Sequence, residues 1–161
     1  MTSKTSGTSD QVTHSLKVLE TKATLSSLWV FVLMNIIFRD LHEFAKPSFL
    51  AEVMTGSING QPLNEALFLL GGIMIQVPIS MIVLARVLPA RANRWANVLG
   101  IVYMVATIFI FAPGDIDDTF HAAVELLALT GIGYLVWRWP GQTQARRGRS
   151  GQFQHAPTLN R

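Results

Sequence analysis

The stretch ALFLLGGIMIQVPISMIVLA, residues 66–85, contains no charged side chain. Its most polar residues are Gln76 and Ser80. A helix of a soluble bundle would carry a polar stripe along its length, and a bilayer core about 30 Å thick needs roughly 20 helical residues to cross it. This stretch therefore predicts a membrane-spanning helix, and it decides the fold class.

Three further runs have the same character. Charges are absent from residues 23–38 and 95–112, and residues 119–137 carry only His121 and Glu125. Half of the chain is hydrophobic and 14% is charged, against about 25% charged in soluble domains. Strands of a membrane barrel need only about 10 alternating residues. The longer, uniformly apolar runs therefore predict four helices.

We accordingly predict an all-α integral membrane protein, a left-handed four-helix bundle with disordered polar tails. Residues 1–24 form the predicted polar N-terminal tail, residues 25–139 the four-span domain, and residues 140–161 a basic C-terminal tail. The expected spans are residues 25–45, 65–86, 94–112 and 118–138.

The lysines and arginines predict the orientation. All of them except Arg39 and Lys46 lie in the N-terminal tail, between spans two and three, or after span four. The connection PGDIDD, residues 113–118, has three aspartates and no basic residue. Since basic segments stay in the cytoplasm, both termini are predicted to be cytoplasmic in a multi-pass membrane protein. The N-terminal segment is read as part of an uncleaved anchor, because no small-residue cleavage site follows the first run.

Several functions are excluded by what the sequence lacks. Without cysteine, the chain has no thiol catalysis, disulfide or thiolate metal site. It shows no phosphate-binding glycine loop, nucleophile elbow or zinc-protease histidine pair. The net charge of +3 lies in the topology-setting segments and does not predict nucleic-acid binding. No cofactor and no metal are assigned, and an enzyme is the less favoured interpretation.

The stretch NIIFRDLHEF, residues 35–44, ends the first run with charges. At 100° per residue, Asn35, Arg39 and His42 fall within about 60° of one another, and Glu43 lies beside them. Scattered charges would mark a solvated helix end. The stripe instead predicts a polar face directed towards another helix.

Span four repeats this pattern with Asp117, Asp118, His121 and Glu125 clustered on one face. Glu125 lies about 10 Å inside the span at 1.5 Å per residue, and a carboxylate at that depth faces the interior of a bundle. The two faces meet at the same end of the predicted bundle if spans one and four touch. Arg39 is then the expected partner of Glu125.

The role of this polar cluster stays open between several interpretations. An ion pair that fixes helix packing is favoured, in a structural or partner-binding protein. A small ion- or proton-coupled transporter is the alternative, with histidines that titrate near neutral pH. A metal site built from His42, His121, Glu125 and Asp118 and a membrane enzyme acting on a lipid are further alternatives.

The remaining features concern packing and partners. PSFLAEVM, residues 47–54, fits a short amphipathic helix, and TGSINGQP, residues 55–62, a turn. We read this connection as a surface loop rather than a cavity cap. Gln76 and Pro78 mark a possible kink or pocket, with packing favoured. Expected partners are the lipid bilayer, anionic headgroups at the C-terminal tail, and a second copy of the chain. The small residues that would support that homo-oligomer are Gly71, Gly72, Gly131 and Gly133.

Three segments carry a resemblance to a known family. LWVFVLMNIIFRDL (28–41), PISMIVLARVLPARANRWANV (78–98) and YLVWRW (134–139) resemble a family of small bacterial four-helix membrane proteins defined only as a domain of unknown function. The resemblance covers about residues 28–139, with residues 91–98 the most specific part. It implies four spans and a bacterial membrane, and it implies no activity.

Overall fold

Five helices and one short hairpin form the described part of the chain. The computed structural model describes residues 4–58, 60–111 and 113–139. The elements are α1 (Lys4–Ala45), α2 (Pro47–Met54), β1 (Ser57–Ile58), β2 (Gln61–Pro62), α3 (Glu65–Val87), α4 (Ala90–Ile110) and α5 (Ile116–Trp137). Four of the helices, α1, α3, α4 and α5, are long and apolar enough to cross a membrane. The predicted all-α fold with four apolar helices is thus confirmed.

The expectation of a disordered N-terminal tail is wrong for the described residues. Helix α1 begins at Lys4 and continues for 42 residues into the first apolar run. No glycine or proline interrupts residues 8–46, so the apolar part of the helix nucleates the turns before it. The hydroxyls of Thr13 and Thr21 each donate a hydrogen bond to the backbone carbonyl one turn earlier in the same helix. The C-terminal tail, residues 140–161, lies outside the described residues.

The four long helices form a closed ring of contacts. Helix α1 packs against α3 and α5, and α4 packs against the same two helices. We call the end that carries α2, the β-hairpin and the start of α5 the hairpin end. The opposite end, where α3 turns into α4 between Arg86 and Arg91, is called the basic end. The handedness of the bundle stays a prediction.

The connection at the hairpin end folds as predicted into a short helix and a turn. Helix α2 covers residues 47–54. In the hairpin, Ser57 pairs with Pro62 and Ile58 with Gln61. Gly56 and Gly60 have φ of 80° and 72°, a left-handed conformation that glycine adopts at little cost. Two glycines therefore make this tight reversal possible.

The bundle is most tightly packed around Trp29 of α1. The Trp29 indole donates a hydrogen bond of 2.8 Å to Oδ1 of Asn97 on α4. Asn97 donates in turn to Asn93, and Asn93 donates to the carbonyl of Ala85 on α3. Trp29, Asn93 and Asn97 are fully buried. The chain of hydrogen bonds thus joins three helices with its polar groups satisfied, which an apolar interior requires.

Pro78 lies inside α3 without ending it, because a neighbouring helix replaces the missing hydrogen bond. Proline has no backbone N–H, so the carbonyl four residues earlier, that of Met74, loses its helical partner. The Tyr103 hydroxyl of α4 donates to this carbonyl at 3.3 Å. Helix α3 therefore runs from Glu65 to Val87 with Pro78 buried inside it.

At the hairpin end the same helix is loosely packed. The buried residues of α3 are Pro78, Met81 and Ala85, all in its second half. No other helix of the chain closely approaches Gly71 or Gly72, since a Cβ added at either glycine would meet no atom within 4 Å. Their missing side chains leave space instead, and the bundle opens between α1, α3 and α4.

The outer surface of the bundle is strongly apolar. Phe68 is 66% exposed, Phe109 72% and Leu127 73%. Apolar patches of this extent are rare on soluble monomers. They are compatible with a surface covered by lipid hydrocarbon.

Candidate functional site

The predicted polar cluster lies where the end of α1 meets the start of α5. These two helices pack against each other, which is the contact that brings the polar faces of spans one and four together. Three cross-helix contacts follow one another towards the hairpin end: Asn35 with His121, His42 with Asp117, and Lys46 with Asp115. Because the residue numbers rise on α1 while they fall on α5, the helices run antiparallel.

Asn35 and His121 are joined by two hydrogen bonds. Nδ2 of Asn35 donates to the backbone carbonyl of His121 at 2.9 Å. Oδ1 of the same amide lies 2.9 Å from Nδ1 of the imidazole. A carbonyl oxygen only accepts, so the amide nitrogen must face it and the amide oxygen must face the ring. Nδ1 of His121 therefore carries hydrogen, and in the neutral ring Nε2 keeps its lone pair.

A second histidine and an aspartate complete this part of the cluster. Nδ1 of His42 lies 3.3 Å from Oδ2 of Asp117, and Nε2 of His121 lies 3.8 Å from Oδ1 of the same carboxylate. The two imidazoles meet edge to face with centroids 5.5 Å apart. Asp117 thus bridges both histidines, a role that helical spacing alone did not assign to it.

Lys46 joins α1 to the start of α5 at the very end of the bundle. Its ammonium donates to Asp115 and to Glu43. These two hydrogen bonds, that to Asp115 first, raise the pKa of Lys46 above its usual value. The backbone N–H of Asp118, followed by Lys46, lowers the pKa of Asp115. Asp118 accepts from the backbone of Gly114 at 3.1 Å, so it helps to shape the start of α5.

Arg39 and Glu125 do not form the predicted ion pair. The guanidinium of Arg39 lies 3.7 Å from its chain neighbour Asp40. Glu125 is 1% exposed, and its Oε1 has no hydrogen-bond partner in the described part of the chain. Asp40, one residue away and closer to solvent, is the easier partner for Arg39. A buried carboxylate oxygen is left without compensation.

Glu125 lines an apolar cavity of about 620 Å³ between the four long helices. This apolar cleft also includes Gly71 and Gly72 of α3 and Tyr103 of α4. The apolar cleft lies beside the first half of α3, which has no buried residues. The glycines expected to bring helices together thus help to form a cavity.

A second cavity of about 530 Å³, the polar chamber, lies next to the cleft at the hairpin end. Both cavities are lined by Arg39, Asp40, Ile108 and Phe111. Helix α2 contributes to the polar chamber, and the hairpin region contributes Ile58 and Leu63 to the apolar cleft. The connection expected as a plain surface loop therefore forms part of both walls. The carboxylates and cations of the polar chamber are Asp40, Glu43, Glu52, Asp115, Asp118, Arg39 and Lys46.

Gln76 and Pro78, read as a possible kink or pocket with packing favoured, lie outside both cavities. Gln76 is exposed and makes no side-chain hydrogen bond within the described residues. Pro78 is buried and acts through packing and through the carbonyl that it leaves to Tyr103.

Fold and site together define a class: a bundle of four helices apolar enough to cross a membrane, with a polar cluster and two cavities at one end. The chain belongs to a family of unknown function, DUF6326, whose model matches residues 17–145. The resemblance noted from the sequence, to an uncharacterised family, is thereby confirmed. Comparison with curated proteins gives no match, and comparison with solved structures gives none either.

Proposed function

We propose that this chain is a small proton-coupled carrier of apolar organic cations in the bacterial inner membrane. The observation that carries the proposal is Glu125, a buried carboxylate with an unpartnered oxygen that lines an apolar cleft. A carboxylate in apolar surroundings is neutralised by a proton or by a cation. Competition between proton and cation for one carboxylate is the simplest basis of coupled exchange.

The charge of the polar chamber supports a cationic ligand. Five carboxylates and two cations line it. A cleft with an excess of one charge raises the local concentration of opposite ions. A cation would first meet this acidic chamber, then pass Arg39 and Asp40, and place its apolar part in the cleft beside Glu125.

The arrangement of the basic residues supports access from outside the cell. Lys22, Arg86, Arg91, Arg94 and Arg138 lie at the basic end or beyond it. With basic segments in the cytoplasm, both termini are cytoplasmic and the polar chamber opens outwards. In the proposed carrier, the proton and the cation therefore reach and leave Glu125 through the outer face.

A purely structural cluster fits the geometry less well. An ion pair that holds α1 to α5 would place Arg39 on Glu125, whereas Arg39 lies against Asp40. Gly131 and Gly133, named as small residues for homo-oligomer contacts, have Leu28 and Ile101 of the same chain as their nearest neighbours. Contact through a second copy stays a proposal without support from these glycines.

Binding of tetraphenylphosphonium to the chain in lipid nanodiscs tests the proposal. We expect equilibrium dialysis to detect binding that weakens as the pH is lowered. Glu125→Gln should weaken it at least about tenfold, equivalent to about 1.4 kcal/mol. The matched control is Glu65→Gln, an exposed carboxylate that lines neither cavity, and it should bind like the parent.

Tetraphenylborate, an anion of the same shape, provides the second arm. It should bind much more weakly than the cation, because the cavities carry an excess of carboxylates. Equal binding of both ions, or full cation affinity in Glu125→Gln, would contradict the proposal. Loss of cation binding in Glu65→Gln as well would show that the effect does not arise at Glu125.

A further inference from the structure

We infer that His42, Asp117 and His121 form a binding site for Zn²⁺ at the hairpin end of α1 and α5. None of these three residues lines the apolar cleft or the polar chamber. The site is therefore distinct from the proposed cation path. It needs neither Glu125 nor Arg39.

The donor atoms lie close enough together to converge on one metal ion. One donor atom from each of the three residues lies within 4.8 Å of the other two. Oδ2 of Asp117 lies 3.3 Å from Nδ1 of His42, and Oδ1 of the same carboxylate lies 3.8 Å from Nε2 of His121. In a tetrahedral site with bonds of about 2.0–2.2 Å, donor atoms lie about 3.3 Å apart. With donor atoms up to 4.8 Å apart, changes in separation of up to about 1.5 Å would bring all three onto one ion.

The imidazole of His121 is prepared for this role by Asn35. The amide of Asn35 fixes hydrogen on Nδ1 and leaves the lone pair of Nε2 directed towards Asp117. Metal-binding histidines characteristically donate the other ring N–H to a carbonyl or carboxylate, which fixes tautomer and orientation. Asn35 is thus the positioning residue of the site, and it lies half-buried between the same two helices.

The donor set favours zinc and leaves room for a fourth ligand. Two imidazoles and one carboxylate are typical protein ligands of Zn²⁺, and sites with three protein ligands keep an open position for water. His42 and Asp117 are partly exposed, so the ion can enter from the solvent side. His121 is buried, and it anchors the site to the bundle.

The neighbouring acidic group does not compete for the ion. Glu43, Asp115 and Asp118 also bring their oxygens within 4.8 Å of one another. The ammonium of Lys46 already donates to Glu43 and Asp115, so a cation occupies that position. We therefore expect Zn²⁺ to bind at the proposed zinc site and not at this acidic group. The acidic group thus serves as an internal control for the titration.

The test is a Zn²⁺ titration of the purified full chain, carrying an affinity tag without histidine, against a chromophoric chelator in detergent. We expect one ion per chain. His42→Gln and Asp117→Asn should each weaken binding at least about a hundredfold. Asn35→Ala keeps all three ligands and should weaken it about 10- to 100-fold, the usual effect of losing such a supporting contact. Co²⁺ in place of Zn²⁺ should give visible absorption bands that Asn35→Ala alters.

Control variants separate this site from other donors. His14→Gln and His155→Gln remove the remaining histidines of the chain, and Asp118→Asn alters the neighbouring acidic group. All three should bind Zn²⁺ like the parent, and so should Glu125→Gln, which removes the proposed organic-cation site. Circular dichroism of each variant checks folding, and the exposed His42 makes His42→Gln the safest variant. No stoichiometric binding in the parent, unchanged affinity in folded His42→Gln, or an equal loss in the controls would overturn the inference.

Discussion

At the scale of single residues, Gly100 of α4 lies tightly against the indole of Trp29. A Cβ at position 100 would lie 3.0 Å from two atoms of the indole ring, and the ring is held by its hydrogen bond to Asn97. We expect Gly100→Ala to lower the free energy of unfolding by about 1–3 kcal/mol, the usual cost of overpacking.

The matched control is Gly72→Ala, where an added Cβ meets no atom within 4 Å. Removal of a glycine from a helix interior favours the folded state by up to about 1 kcal/mol. The two alanine variants should therefore shift thermal unfolding, followed by circular dichroism in detergent, in opposite directions. Equal shifts would show that the indole is free to move.

A second residue-scale prediction concerns the hydroxyl of Tyr103. Tyr103→Phe leaves the carbonyl of Met74 without a donor and should cost about 1 kcal/mol of stability. Pro78→Ala restores the backbone N–H that this carbonyl lacks. In the Pro78→Ala background, Tyr103→Phe should therefore cost much less. A double-mutant cycle measures the coupling, and additive effects would contradict the role assigned to the hydroxyl.

The residues of the polar cluster show how far sequence reasoning reaches at this scale. Helical spacing identified Asn35, His121 and Glu125, because it determines which face of a helix a side chain occupies. It did not identify the contact of Arg39 with Asp40 or the bridging role of Asp117. Those depend on side-chain rotamers and on the relative register of α1 and α5, which no periodicity within one helix determines.

At the scale of elements, Lys46 holds the end of α1 against the start of α5. The contribution of Asp115, whose pKa is lowered, is present above its unfolded pKa of about 3.9 and is lost as the pH falls through the folded pKa. The contribution of Lys46, whose pKa is raised, is present below about 10.4 and is lost as the pH rises through the folded pKa. Both contributions are complete between about pH 4 and pH 10.

Thermal unfolding of Lys46→Met across pH tests this contact between elements. Its melting temperature should fall slightly below that of the parent between pH 5 and pH 9, and the difference should shrink below pH 4. The effect is small because the groups are solvent-screened. Lys17→Met, at an exposed position of α1, should show no such pH dependence. A difference that persists unchanged at pH 3 would exclude the ionic contact as its cause.

Some helix boundaries were predicted from the sequence more accurately than others. The apolar runs located α3, α4 and α5 within a few residues, because length and composition set the extent of such helices. The start of α1 was missed, since a polar segment without glycine or proline extends a helix already nucleated beside it. The opening at Gly71 and Gly72 was also missed. A glycine has no side chain, so its presence in a helix is equally consistent with a close helix contact and with an unfilled space.

At the scale of the whole molecule, tight packing around Trp29 and loose packing near Gly72 give the bundle two unlike halves. The half towards the basic end contains the hydrogen-bonded core, and the half towards the hairpin end contains both cavities. Regions with few buried contacts open at lower free energy than the core. The hairpin half is therefore the part of the molecule suited to binding and release.

The orientation of these halves across the membrane is the last prediction. The chain has no cysteine, so single cysteines can be labelled without a background signal. We place them at the exposed Gln61 and Pro113 of the hairpin end and at the exposed Ala92 of the basic end. Ser150, in the basic tail, provides a fourth site. None of these changes alters the lysines and arginines on which the orientation depends.

An impermeant maleimide on intact cells should label Gln61→Cys and Pro113→Cys, while Ala92→Cys and Ser150→Cys should react only after permeabilisation. The reverse pattern would direct the polar chamber and the proposed zinc site towards the cytoplasm, and access to Glu125 from outside would then be wrong. Labelling of all four on intact cells would contradict a membrane-spanning bundle. The first two patterns therefore identify the side of the membrane from which the proposed cation would reach Glu125, because the shape of the cleft does not show which end of the bundle faces the outside of the cell.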